Sequence, residues 1–436
     1  VSSTAIETSA QAFLPQQTRV GILGLGYVGL PLALLFVEAG FSVLGFDIDA
    51  EKVAALNAGR SYIQRIEAAE IQQARAHGLR ATTDFAEAAE CDALLICVPT
   101  PLSDHHLPDL SFIENTVRAL APHTHAGQLI VLESTTWPGT TQEVVLPLLQ
   151  QSAPDAASLR VAFSPEREDP GNTTIDRRDI PKVVGGLTPE ATAAACALYG
   201  SVFRRTVPVS SAAAAEMTKL LENIYRAVNI ALVNELKQFA LIAGIDIWEV
   251  IAAASTKPFG FAPFQPGPGI GGHCIPVDPF YLSWRAAQLG ASTRFIALAG
   301  EVNEAMPAFV VATTARELQA RGKQLPNARV LLLGMAYKRN IDDLRESPAL
   351  ALHQLFRAAG ADVQYNDPYF AHVGAGRHYA INQDSTPLQQ GGSFDAVVLV
   401  TDHAAYDIAA LAAASQLFID TRNATHGLDL PNVVRC

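Results

Sequence analysis

Residues 19–47 read RVGILGLGYVGLPLALLFVEAGFSVLGFD. Arg19 to Leu25 is a short apolar run of the kind that forms a buried parallel strand. Gly24, Gly26 and Gly29 follow in the spacing G-L-G-Y-V-G, with Tyr27 and Val28 inside it, and PLALLFVEAG then reads as a helix ending at Gly40. Phe41 to Phe46 is a second strand, closing on Asp47. Strand, glycine turn, helix, strand and acid in that order predict a dinucleotide-binding unit. Bare backbone approaches a pyrophosphate, the helix N-terminus supplies oriented N–H groups, and the carboxylate meets a ribose hydroxyl. A carboxylate at Asp47 repels a 2′-phosphate, so NAD is expected rather than NADP. Glycines used only for close packing are the alternative.

Further strand–helix units follow. Ala93 to Val98 is a buried strand running into Pro99-Thr100-Pro101, and Leu129 to Leu132 another running into ESTTWPGTT, residues 133–141. Ligands of doubly wound sheets bind beyond the carboxyl ends of strands, so Thr100 and Thr135 are candidates to line the nicotinamide side, or else are ordinary turn and cap residues. Val161 to Ser164 leads into PEREDPG, a solvated charged loop unless Glu166 or Arg167 points into the cleft. Ala212 to Ala243 reads as one helix, roughly 48 Å long, without Pro or Gly until Gly244. Lys219 and Asn223 stand four residues apart and share one face, with Lys219 either desolvated among apolar neighbours or at a solvated rim. Arg329 to Leu333, Gly334, a polar loop with Lys338, Arg339 and Arg345, a helix, and the strand Asp362 to Tyr365 repeat the first unit without its glycine fingerprint. Charged side chains there are suited to holding phosphate.

Pro263 to Leu282, PFQPGPGIGGHCIPVDPFYL, is too rich in proline and glycine for helix or strand. Gly271 and Gly272 bring bare backbone beside Cys274, which reads as a nucleophile or as a structural thiol. At 436 residues the chain exceeds a single core. A net charge of −12 without a basic run argues against nucleic acid. Five cysteines without a CxxC pair fit a reducing cytoplasm. No continuous apolar run reaches the roughly 18 residues of a membrane span, residues 1–17 lack the pattern of a signal peptide, and no metal site is expected. A nicotinamide site together with a cysteine suggests aldehyde oxidation through a thiohemiacetal and a thioester.

The blocks GLGYVGLPLA, CVPTP, ESTTWPGTT, FSPERED-PGN, EMTKLLENIYRAVNIALVNEL, GPGIGGHCIPVDPFYL and GMAYKRNIDDLRESP occur in this order. In them the chain resembles the UDP-glucose/GDP-mannose dehydrogenase family over roughly residues 19 to 436, most like its UDP-N-acetylhexosamine branch. The resemblance implies an α/β fold of two Rossmann-like doubly wound domains joined by a long central helix and helical connector. Residues 1–17 would be a flexible tail, 18–209 the NAD-binding domain, 210–310 the central dimerisation domain with the cysteine loop, and 311–436 the UDP-sugar domain. It implies oxidation of a UDP-sugar from C6 alcohol to carboxylate with two NAD, in a homodimer or larger assembly; UDP-N-acetylglucosamine is favoured, UDP-glucose, UDP-N-acetylgalactosamine and GDP-mannose are the alternatives, and an inactive nucleotide-sugar-binding protein is a remote one. By resemblance Cys274 is the nucleophile, and Lys219 and Asn223 stabilise the oxyanion. Asp278 positions water, Glu166 acts in thioester hydrolysis, Lys338 holds the sugar nucleotide, Arg345 reaches the cofactor end, and Thr135 lies near the nicotinamide. Arg167 and Gly271 are further substrate candidates, and Lys257 is a candidate to reach a neighbouring subunit's site. His273 is expected to tether backbone rather than act as a base.

Overall fold

The computed structural model of the chain describes residues 13–63, 65–102, 107–168, 174–272, 275, 277–376, 379–388 and 393–436. Two compact units emerge: residues 1–222 with 280–291, and residues 223–279 with 292–436.

The first unit is built on eight strands. They are β1 (Arg19–Leu23), β2 (Ser42–Phe46), β3 (Leu79–Thr82), β4 (Ala93–Ile96), β5 (Leu129–Leu132), β6 (Arg160–Phe163), β7 (Lys182–Gly186) and β8 (Thr206–Pro208). Their order is β3-β2-β1-β4-β5-β6-β7-β8. The first six reproduce the doubly wound dinucleotide-binding order, with the reversal of winding between β1 and β4. ALLI in β4 and LIVL in β5 are buried throughout, as strands covered on both faces must be. All neighbours are parallel except β6 and β7, which run antiparallel. That single reversal has a chemical consequence. The first residue of β7, Lys182, lies at the edge where β5 and β6 end.

In the second unit β9 (Arg329–Leu333), β10 (Asp362–Asn366), β13 (Ala396–Leu399), β14 (Phe418–Asp420) and β15 (Val433–Arg435) form a parallel sheet in the order β10-β9-β13-β14-β15. A hairpin of β11 (His372–Ala375) and β12 (Ala380–Asp384) stands apart from it.

The helix Ala212–Ala243 is continuous over 32 residues and carries the chain from one unit into the other. A second long helix, Arg294–Ala320, is long and apolar enough to cross a membrane by length and composition alone. Glu301 and Glu304 interrupt its run. One face of it packs on the second unit, where Val310 and Leu318 are fully buried and Asn303 bonds the long helix at Asn234 and Ala227, while Phe295 and Leu298 are exposed.

Candidate active site

The glycine turn after β1 is shaped by close approaches. Gly24 has φ +91°, and a Cβ there would lie 2.9 Å from the Cys97 carbonyl oxygen. A Cβ on Gly29 would lie 1.9 Å from the Gly24 carbonyl oxygen. Those two glycines are required by packing. Gly26 is different: a Cβ there would meet nothing within 4 Å, so its backbone faces open space. The helix Gly29–Glu38 starts beside it at Val28 with no side-chain cap; Leu30 N donates to Gly26 O and Pro31 has no N–H, so an anion would be met by the amides of the turn and of Gly29. Asp47, at the end of β2, accepts hydrogen bonds from Leu25 N at 2.9 Å and Asp49 N at 3.0 Å, which fix its orientation. Lys52 Nζ stands 4.0 Å away. These residues fit a dinucleotide.

At the carboxyl edge of the same sheet Thr100 is buried and Thr135 half-buried. Ser134 Oγ donates to Val98 O at 2.7 Å, tying together the loops that carry them. Glu216, buried on the long helix, accepts from Gly139 N, Thr141 N and Thr141 Oγ1. Burial pushes its carboxyl upward against those bonds. Sequence reasoning missed Glu216; its signal is a carboxylate three residues before Lys219 in an apolar helix.

Glu166 and Lys219 come together. Lys219 is 8% exposed, and its ammonium donates to the carbonyl oxygen of Glu166. The Glu166 carboxylate accepts from Arg167 N at 2.7 Å and Glu168 N at 2.6 Å through one oxygen, while the other lies 3.4 Å from Lys182 Nζ. Burial pushes its pKa up, but Lys182, Lys219 and the two amides together bring it below the usual carboxylate range. Lys182 is itself buried and donates to Glu133 at 2.6 Å, and Tyr199 OH donates to the other Glu133 oxygen. Arg167 is tied elsewhere, to both Glu222 oxygens and to the Pro181 carbonyl.

In the second unit the Asn223 amide donates to the buried Asp278 carboxylate. Gly271 and Gly272 lie against Tyr337, where a Cβ would come within 2.6 Å and 2.9 Å of its side chain, and Gly272 N donates to Arg345 O at 2.9 Å. Arg345 pairs with Asp343, Lys338 is half-buried on the loop after β9, and exposed Lys257 stands over the Phe259 ring. Gly267, earlier in the same loop, is held by the long helix through Asn234, which accepts from its N–H, and Lys237, which donates to its carbonyl. Cys274 and His273 lie outside the described residues.

The second unit repeats the first in its turn as well as its sheet. Gly334 has φ +88°, and a Cβ there would lie 2.5 Å from Thr401 O. Asp367, one residue past β10, accepts from Met335 N at 2.6 Å as Asp47 does from Leu25 N. It also accepts from Ala336 N, Tyr369 N and the buried His403 ring. Its oxygens are thus engaged by its own chain.

Comparison with known proteins agrees with this architecture. The family profile for the NAD binding domain of UDP-glucose/GDP-mannose dehydrogenases matches residues 18–203, its central domain residues 213–305 and its UDP binding domain residues 331–427. UDP-N-acetyl-D-mannosamine dehydrogenase of Salmonella typhi is 38% identical over 77% of this chain and 82% of its own. UDP-N-acetyl-D-glucosamine 6-dehydrogenase of Pseudomonas aeruginosa is 34% identical over 89% of this chain and 91% of its own. The solved UDP-D-ManNAc dehydrogenase of Pyrococcus horikoshii superposes with a TM-score of 0.84 at 31% identity, covering 95% of this chain and 97% of that one. With its glycine turn, its two sheets and all three family segments in place, the chain belongs to the UDP-glucose/GDP-mannose dehydrogenase family and is an NAD-dependent nucleotide-sugar dehydrogenase.

Proposed function

We propose that the protein oxidises the C6 alcohol of a UDP-N-acetylhexosamine to the carboxylate, with Cys274 carrying the half-oxidised sugar. The observation that supports this best is the buried Lys219 beside Glu166, on the same helix as Asn223, whose amide bonds Asp278 from another helix. NAD, held at Gly24, Gly26, Tyr27, Val28, Gly29 and Asp47 with Thr100, Thr135 and Arg345 toward its reacting end, would accept a hydride at each of the two oxidations. The chain's own residues do the rest. The Cys274 thiolate adds to the aldehyde carbon, giving a thiohemiacetal whose oxygen is anionic. Lys219 neutralises that charge, and the second N–H of the Asn223 amide donates to the same oxygen. A fixed cation at a developing oxyanion is a large term in acyl chemistry. After the second oxidation the thioester is cleaved by water, which Asp278 and Glu166 position; the sulfur leaves as thiolate and the sugar as carboxylate. Lys338, Gly271 and, from a neighbouring subunit, Lys257 complete the substrate contacts, whereas Arg167, expected among them, is held by Glu222 and the Pro181 carbonyl.

UDP-N-acetylglucosamine is the substrate favoured by the motif forms. The Salmonella relative, a UDP-N-acetyl-D-mannosamine dehydrogenase, favours the 2-epimer instead. Measuring kcat/KM over UDP-N-acetylglucosamine, UDP-N-acetylmannosamine, UDP-N-acetylgalactosamine, UDP-glucose and GDP-mannose decides between them. A preference for UDP-glucose or GDP-mannose would remove the N-acetyl assignment. Cys274→Ser is expected to abolish turnover while NAD still binds; normal turnover in that variant would take the thiol out of the mechanism.

A further inference from the structure

Lys182 opens β7, the one strand that runs against its neighbour β6. The observed pairs Ala162–Gly186 and Phe163–Gly185 advance one residue in each direction. Continued beyond the strand, that register sets Glu166 opposite Lys182. Ser164 Oγ, which donates to Val183 O at 2.8 Å, shows the two segments still adjacent there. A parallel β7 would instead bring its last residue, Gly186, to this edge.

The ammonium so placed is 3% exposed, lies over the Tyr199 and Phe203 rings, and faces two carboxylates, Glu133 and Glu166. Glu133 takes the close contact and receives the Tyr199 hydroxyl on its far oxygen, so that it balances the charge and fixes the direction of Lys182. Glu166 takes the longer contact at 3.4 Å through the oxygen that its neighbouring amides leave unbonded. The other charged and titratable groups around Glu166 are Lys219 and Glu222 from the long helix, Cys97 from the end of β4, and Arg167 and Glu168 from its own loop. Among them Lys182 is the cation that bonds the carboxylate itself; Lys219 bonds the backbone of Glu166. Arg167 is spent on Glu222 and Pro181.

We infer that Lys182, braced by Glu133 and Tyr199, is a positioning residue that keeps Glu166 ionised and aimed during the hydrolytic half of the reaction, an inference that rests on the role proposed for Glu166. An opposite charge at this range lowers a carboxyl pKa by about one to three units. Lys182 would thereby set where activity fails on the acid side. If its loss raises the pKa of Glu166, the acid limb of kcat moves to higher pH.

The test compares pH–kcat profiles of the full chain with NAD and its best UDP-sugar for the parent, Lys182→Met, Lys182→Arg, Glu166→Gln and the double variant Lys182→Met/Glu133→Gln. The double variant removes the strandded counter-charge, so a folding defect of the single variant does not obscure the result. The acid limb is expected to rise by about one to three pH units in Lys182→Met, to rise less in the double variant, and to return toward the parent in Lys182→Arg. NAD affinity should be unchanged throughout. An unmoved acid limb in the folded double variant, with Glu166→Gln abolishing that limb, would overturn the inference about Lys182 and leave Glu166 in place. An unchanged rate and profile in Glu166→Gln would overturn the role of Glu166 and the inference with it.

Discussion

Lys237 shows how much a single buried charge decides. It faces inward from the long helix, donates to Gly267 O at 3.1 Å and lies over the Phe309 ring. Burial pushes its ammonium down to about 8. Because the unfolded lysine titrates near 10.4, the unfolded chain holds the extra proton between those values, and stability contributed through this group rises with pH across that window. Lys237→Met is therefore expected to be more stable than the parent at pH 7, by up to about 3 kcal/mol. That advantage should shrink as pH rises from about 8 toward 10.5 in denaturant titrations at several pH values. A pH-independent difference would contradict it. At this scale the sequence told unequal amounts. Glu166, Lys219, Asn223 and Asp278 were legible because they sit in recognisable motifs, and the structure pairs Glu166 with Lys219 and Asn223 with Asp278. Lys182, Glu133 and Glu216 were not read as site residues, because only strand direction and helix packing bring them to the same edge.

The long helix was legible to its last residue, since nothing interrupts Ala212–Ala243 before Gly244. Strand β7 was not. KVVGG is short and ends in two glycines, which lowers strand propensity; its glycines are there for close approach, with a Cβ on Gly185 falling 2.1 Å from Ser211 O. The helix also presents exposed Tyr225, Leu232, Leu236, Phe239 and Ile242, with Phe239 65% exposed. The first four follow the three-, four- and seven-residue spacing of one helical stripe. A contiguous apolar stripe of this kind is self-complementary across a two-fold axis, and we propose a second copy of the chain as its partner. Sedimentation is expected to give a dimer or larger assembly, and Phe239→Glu to shift it toward monomer. A monomeric parent at micromolar concentration would end this assignment.

Across the whole molecule one architecture is used twice with different chemistry. Both sheets place a positive-φ glycine after the central strand and an aspartate after its neighbour. In the first unit Gly26 leaves open backbone for a dinucleotide; in the second, Asp367 is consumed by its own chain and Lys338 and Arg345 stand in the loop instead. The repeat was visible in VGILG and VLLLG, whereas the hairpin of β11 and β12 was not, since each strand buries a single apolar residue, Val373 or Ile381, and the rest shows no alternation. The proposed function makes one central claim: two successive oxidations of one sugar, with sulfur holding it between them. The most direct measurement is the NADH formed per UDP-sugar consumed, with the product identified by mass. Two NADH and a uronic acid are predicted. One NADH with free aldehyde accumulating would contradict the account.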